Sequence, residues 1–121
     1  MNKYSDKSDY EINKAVADCY LTREYRFNSA DKIVELMDID LSCEFGGEIN
    51  LKDKYVTGAF DPCNNAADAM PIVIENKIDL THLVGDMVCA KHKEYWCIRK
   101  NPYRAGCEVY LLMKDAENEK V

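Results

Sequence analysis

The residues best placed to do chemistry sit at two helix starts. Phe60-Asp61-Pro62-Cys63-Asn64-Asn65-Ala66-Ala67-Asp68 and Asn101-Pro102-Tyr103-Arg104-Ala105 each read as a polar turn leading into an amphipathic helix. A helix N-terminus presents free N–H donors and a positive dipole end, where an anion or a partner's carbonyl can be held. Cys63 is the candidate nucleophile, because that dipole lowers a thiol's pKa and the thiolate is the reactive form. Its other reading is a cysteine packed under a turn. Asn64, Asn65, Asp68, Asn101 and Arg104 become a binding set if the two helix starts lie side by side, with the planar fork of Arg104 suited to a carboxylate or phosphate. The structural alternative is that Arg104 pairs with Asp68 or Asp61 and ties two helices together. Trp96 is a stacking platform if it lies beside this set, and core filler otherwise.

Nothing else in the chain resembles catalytic machinery. There is no Gly-x-Ser-x-Gly, no phosphate-cradling glycine loop and no His-Glu-x-x-His, so no catalytic residue is assigned. The six cysteines, Cys19, Cys43, Cys63, Cys89, Cys97 and Cys107, never occur at Cys-x-x-Cys spacing, and His82 and His92 have no partner at ligand spacing. No metal and no cofactor is expected. The thiols are read as reduced, small hydrophobes, most of them (Cys19, Cys89, Cys97 and Cys107) on the apolar sides of their elements.

With 121 residues and 47% hydrophobic composition, the chain fits one domain able to bury a sizeable core without disulfide or metal. The expectation is a single globular domain over 1–121, with 1–7 and 115–121 frayed. No apolar run approaches the length of a membrane span, and Met1–Asp6 lacks the apolar stretch of a secretory signal. A soluble, cytoplasmic protein follows. Twenty-two acidic against 16 basic residues give a net charge of −6, which works against binding duplex nucleic acid. The basic clusters at Lys91-His92-Lys93 and Arg99-Lys100 are too short for a duplex footprint.

These residues need elements to position them. Ser8-Asp9-Tyr10-Glu11 is a capping box, and Ile12, Ala15, Val16, Cys19 and Tyr20 recur at helical spacing, so a helix spans about 9–20, with Asn13, Lys14 and Asp18 outward. Thr22–Ser29 reads as loop. From Met37 to Cys43 apolar and polar residues alternate as in a half-buried strand, while Lys32–Leu36 could be a helical turn. Ile49–Phe60 is short strand plus loop. Asn65 caps a helix running to about Asn76, with Asp68 in its first turn and Pro71 expected to kink it or tighten its start. Ile78-Asp79-Leu80 leads out. Met87–Ala90 and Tyr95–Ile98 form an antiparallel hairpin with a charged tip, and Trp96 and Cys97 point to opposite faces. Asn101 caps the last helix with Pro102 at its first position, and Ala105, Val109, Leu112 and Met113 line its apolar face. The fold class is α+β: about three helices on a small, mostly antiparallel sheet.

Ser8-Asp9-Tyr10-Glu11-Ile12-Asn13, Pro62-Cys63-Asn64-Asn65-Ala66-Ala67-Asp68-Ala69-Met70-Pro71-Ile72 and Asn101-Pro102-Tyr103-Arg104-Ala105 together resemble the NinX-like family, small proteins of temperate tailed phages with no established activity. The order of the three blocks matches the family, and the second is the most specific. The chain departs at Ala66, where Pro is expected, at Met70, where Trp is expected, and at Cys107-Glu108, where the family's last helix is more uniformly apolar. The resemblance implies an accessory phage product acting in the bacterial cytoplasm.

Two classes of function follow. One is an interaction protein that binds a host or phage macromolecule without catalysis, for example to blunt a host defence. The other is a binder of a small anionic or nucleotide-like ligand, or a minor hydrolase, using Asn64, Asp68, Asn101 and Arg104. The second requires a concave pocket where those side chains converge.

Overall fold

The computed structural model describes residues 3–39 and 54–119. The elements run α1 (Asp9–Tyr20), β1 (Tyr25–Asn28), β2 (Ile33–Ile39), β3 (Lys54–Phe60), α2 (Ala66–Glu75), β4 (Asp79–His82), β5 (Val88–His92), β6 (Tyr95–Arg99) and α3 (Pro102–Glu119). The class is α+β, and the described strands sort into two three-stranded antiparallel sheets, β1-β2-β3 and β4-β5-β6.

The helix starts follow from their caps. The Ser8 hydroxyl accepts from the Glu11 amide at 3.2 Å. The Asn65 and Asn101 side chains accept from Ala67 N and Tyr103 N, both at 2.9 Å. Pro71 is carried inside α2. The tightening falls at the start of that helix, where Asp68 N bonds Asn65 O. α2 ends with Lys77 at φ 56°, Lys77 N bonded to Ile74 O and Ile78 N to Val73 O. This is a Schellman closure with lysine where glycine is usual.

Several expectations change. β1 lies where a loop is read, and its pairing to β2 from Tyr25↔Leu36 to Asn28↔Ile33 makes it a strand. β2 is extended from Ile33, with no helical turn. The expected continuation through Cys43 and the stretch 49–53 fall outside the described residues. β4 replaces the loop after α2 because it pairs with β5, Asp79 opposite Lys91. α3 runs on to Glu119 instead of leaving the helix near Asp115. The Asp115 carboxylate is held by the Tyr4 hydroxyl and by Lys3, 3.0 Å away.

α3 is the central element. Every residue from Ala105 to Leu111 is buried, and its core neighbours are Ile12, Val16 and Ala17 of α1, Ile72 and Val73 of α2, and Ala90 and Cys97 of the second sheet. Gly106 allows the approach of α2, since a Cβ there would stand 2.9 Å from Val73 Cγ2. The buried arc of α1 is Ile12, Asn13, Val16 and Ala17. That rotates the helix from the expected stripe, so Asn13 is buried and Cys19 exposed.

Candidate functional site

The starts of α1, α2 and α3 meet around the Asp61–Asn65 turn. Asn101 caps α3 and also donates from Nδ2 to Cys63 O at 2.6 Å and to Asn64 Oδ1 at 3.4 Å. Asn64 Nδ2 donates to Asp9 at 3.2 Å and to Asp61 at 3.2 Å. Asp68 accepts from the Asp61 amide at 2.9 Å. From α1, Asn13 donates to Asp61 at 2.8 Å and accepts from Cys63 N at 3.1 Å. A short turn whose main-chain groups cannot all bond one another is thereby satisfied by side chains from α1, α2 and the cap of α3.

Arg104, at the third position of α3, is consumed by internal partners. Nη1 donates to Asp9 at 2.6 Å and Nε to Glu108 at 2.9 Å. Nη2 donates to the carbonyls of Tyr4 and Lys7 at 3.0 and 2.7 Å. Glu108 is fully buried and also takes both arms of Arg99 at 2.9 Å. The four groups form a chain of alternating sign, Arg99–Glu108–Arg104–Asp9. Burial works against the charge on Arg104, but its bonds to Asp9 and Glu108 outweigh that and hold its pKa above the ordinary value.

The structure therefore brings together Asn64, Asn101 and Arg104, the last through Asp9, with Asn65 and Asp68 acting as the cap and first-turn acceptor of α2. The structural reading of Arg104 holds, but its carboxylates are Asp9 and Glu108 rather than Asp68 or Asp61. Trp96 lies apart, on the outer face of β6 and 57% exposed. Cys63 is buried and not a helix-end thiolate. Its hydrogen bond with Cys107, its burial and the nearby Asp9 push the thiol well above its ordinary pKa against the pull of Arg104. Neither histidine contacts it: His92 Nδ1 lies 3.1 Å from Lys77 O, and His82 is exposed on β4.

Beyond Asp9 and Arg99, read only as part of a capping box and of a short basic cluster, two residues of this network escape sequence reasoning. Asn13 sits beside the expected apolar stripe and carries no signal of its own. Glu108 does carry one: it is four residues from Arg104 in the apolar stretch of the last helix, the spacing of an ion pair. Beside the turn lies a cavity of about 280 Å³ faced by Asp9, Tyr10, Asn13, Lys32, Asp61 and Asn64. Of the expected binding set it touches Asn64 alone. Among the described residues no cluster of His, Cys, Asp and Glu could hold a metal ion, and no helix is long and apolar enough to cross a membrane.

The family model of bacteriophage P22 NinX matches residues 3–114. The chain belongs to the P22 NinX family. It is thus a phage accessory protein, and the NinX match takes in all of the network from Tyr4 to Glu108. No curated protein and no solved structure matches the chain.

Proposed function

We propose that this NinX protein acts in the cytoplasm of the bacterial host by binding a host or phage protein without catalysis, with interference in a host defence as the purpose that fits an accessory phage product. The observation that carries this reading is the internal satisfaction of the polar set. Asn101 spends its hydrogen bonds on Asn64 and the Cys63 carbonyl, Asn64 on Asp9 and Asp61, and Arg104 on Asp9, Glu108 and the carbonyls of Tyr4 and Lys7, and a group already paired has little left for a substrate. Meanwhile large apolar groups stand in solvent: Ile74 is 68% exposed, Val84 99% and Trp96 57%. Apolar side chains left in solvent offer area that a partner can bury. The net charge of −6 favours a protein partner over a nucleic-acid backbone.

The small-ligand alternative retains one supporting feature, the cavity beside Asn64. Its walls carry Asp9 and Asp61, which disfavours the anionic ligand first considered. Native mass spectrometry of tagged protein, purified gently from a phage-permissive host, separates the two. A stoichiometric added protein mass is the expected result. A small adduct lost on denaturation would instead give the function to the cavity.

A further inference from the structure

β6 is the edge of its sheet: the order is β4-β5-β6, and no described strand pairs with its outer side. The hairpin turns through Lys93-Glu94 with His92 opposite Tyr95. In a two-residue hairpin, alternation then turns the main-chain groups of Tyr95, Cys97 and Arg99 toward β5 and those of Trp96 and Ile98 outward. A groove of about 540 Å³ is lined by Tyr95, Trp96, Ile98 and Arg99 of this strand together with Ser5 and Leu112. Natural edges are blunted by charge, proline or a bulge. This one runs Tyr95-Trp96-Cys97-Ile98; the guanidinium of Arg99 is turned onto Glu108 through Nε and Nη2, while its Nη1 donates to the outward carbonyl of Ile98 at 2.7 Å and leaves that oxygen one further lone pair for a partner strand.

The edge is complementary to itself. In an antiparallel pairing centred on Cys97, the outward groups of Trp96 meet those of Ile98 of a second copy, and the reverse. The Trp96 and Ile98 side chains then form an aromatic–β-branched cross-strand pair on the outer face. The same register sets Glu94 of each copy opposite Lys100 of the other. Both are exposed, and neither has an ion-pair partner among the described residues. A slip by two residues sets Trp96 against Trp96 or against Lys100 and loses the opposite charges. We propose that two copies of this protein join through their β6 edges, antiparallel about a two-fold axis at Cys97, making one six-stranded sheet across the dimer. The partner at this edge is a second copy, the isologous arrangement that closes on itself.

Sedimentation equilibrium of the full chain tests this. A concentration-dependent dimer is expected, and Glu94→Lys and Lys100→Glu each raise its Kd about tenfold by setting like charges opposite one another. An equimolar mixture of the two single variants regains tight pairing, because every contact between unlike copies is again of opposite sign. A chain that stays monomeric at all concentrations overturns the proposal. So does a dimer indifferent to the single reversals, or a mixture no tighter than its components. A monomer that captures a host protein through Trp96, losing it in Trp96→Ser, would likewise overturn it by giving the edge to a foreign strand.

Discussion

Arg104 shows most clearly what a single residue contributes here. Its side chain is 11% exposed and spans Glu108, which is fully buried, and Asp9. Removing one member of a buried ion pair leaves the other charge uncompensated. Arg104→Ala should therefore cost about 3 kcal/mol in urea denaturation, the low end for such breaks because Arg99 still neutralises Glu108. Arg104→Lys should recover only part of that loss, since an ammonium keeps the charge without the fork. Equal stability of the Ala variant and the natural chain would show that the network contributes nothing. Buried thiols should begin the alkaline loss of stability, because an unfolded thiol ionises at lower pH than an unfolded tyrosine. Burial, with the Glu108 carboxylate beside it, pushes Cys97 up to about 12, while an unfolded thiol ionises near pH ~8.5. Above that pH the unfolded chain has lost a proton that the native chain keeps, so stability falls as pH rises. Denaturation midpoints should thus hold below pH ~8.5 and decline toward pH ~12. Cys97→Ala should flatten the decline; an unchanged slope would remove Cys97 as its source.

At the scale of elements, α3 is held close to α2 by an absent side chain. Gly106 lies opposite Val73, whose Cγ2 would be 2.9 Å from an added Cβ, and a β-branched residue in the core has few rotamers into which to retreat. Gly106→Ala gains up to about 1 kcal/mol of helix propensity, but overpacking costs about 1–3 kcal/mol. The expected outcome is a net loss of about 1 kcal/mol, read from denaturation midpoints. In a Val73→Ala background the same substitution should become neutral or favourable, and persistence of the loss there would mean that crowding is not its cause. The elements that the sequence announces are those with local signals. Ser8, Asn65 and Asn101 cap where their side chains predict, and the hairpin around Lys93-Glu94 forms where two alternating runs flank a charged tip. β1 and β4 have no such signal. Four residues such as Tyr25–Asn28 become a strand because β2 lies beside them.

For the whole molecule, the ends of the chain close the network that its middle begins. The carbonyls of Tyr4 and Lys7 hold Arg104, and Asp115 holds Lys3 and Tyr4. Residues read as frayed are therefore part of what orders α3. The phage family was legible from three short blocks, each at the start of a helix, and the family match spans all three. The α+β class was legible as well, since periodicities of helix and strand are properties of neighbouring residues. The pairing of Arg104 with Asp9, the burial of Asn13, the exposure of Trp96 and the division of the strands into two sheets were decided by tertiary structure alone. Each depends on which groups, distant in sequence, remain unsatisfied when the core closes. A helix wheel counts apolar residues but not the main-chain donors of a turn fifty residues away. The sequence determined where the helices begin; packing decided that the polar residues at those beginnings would serve one another.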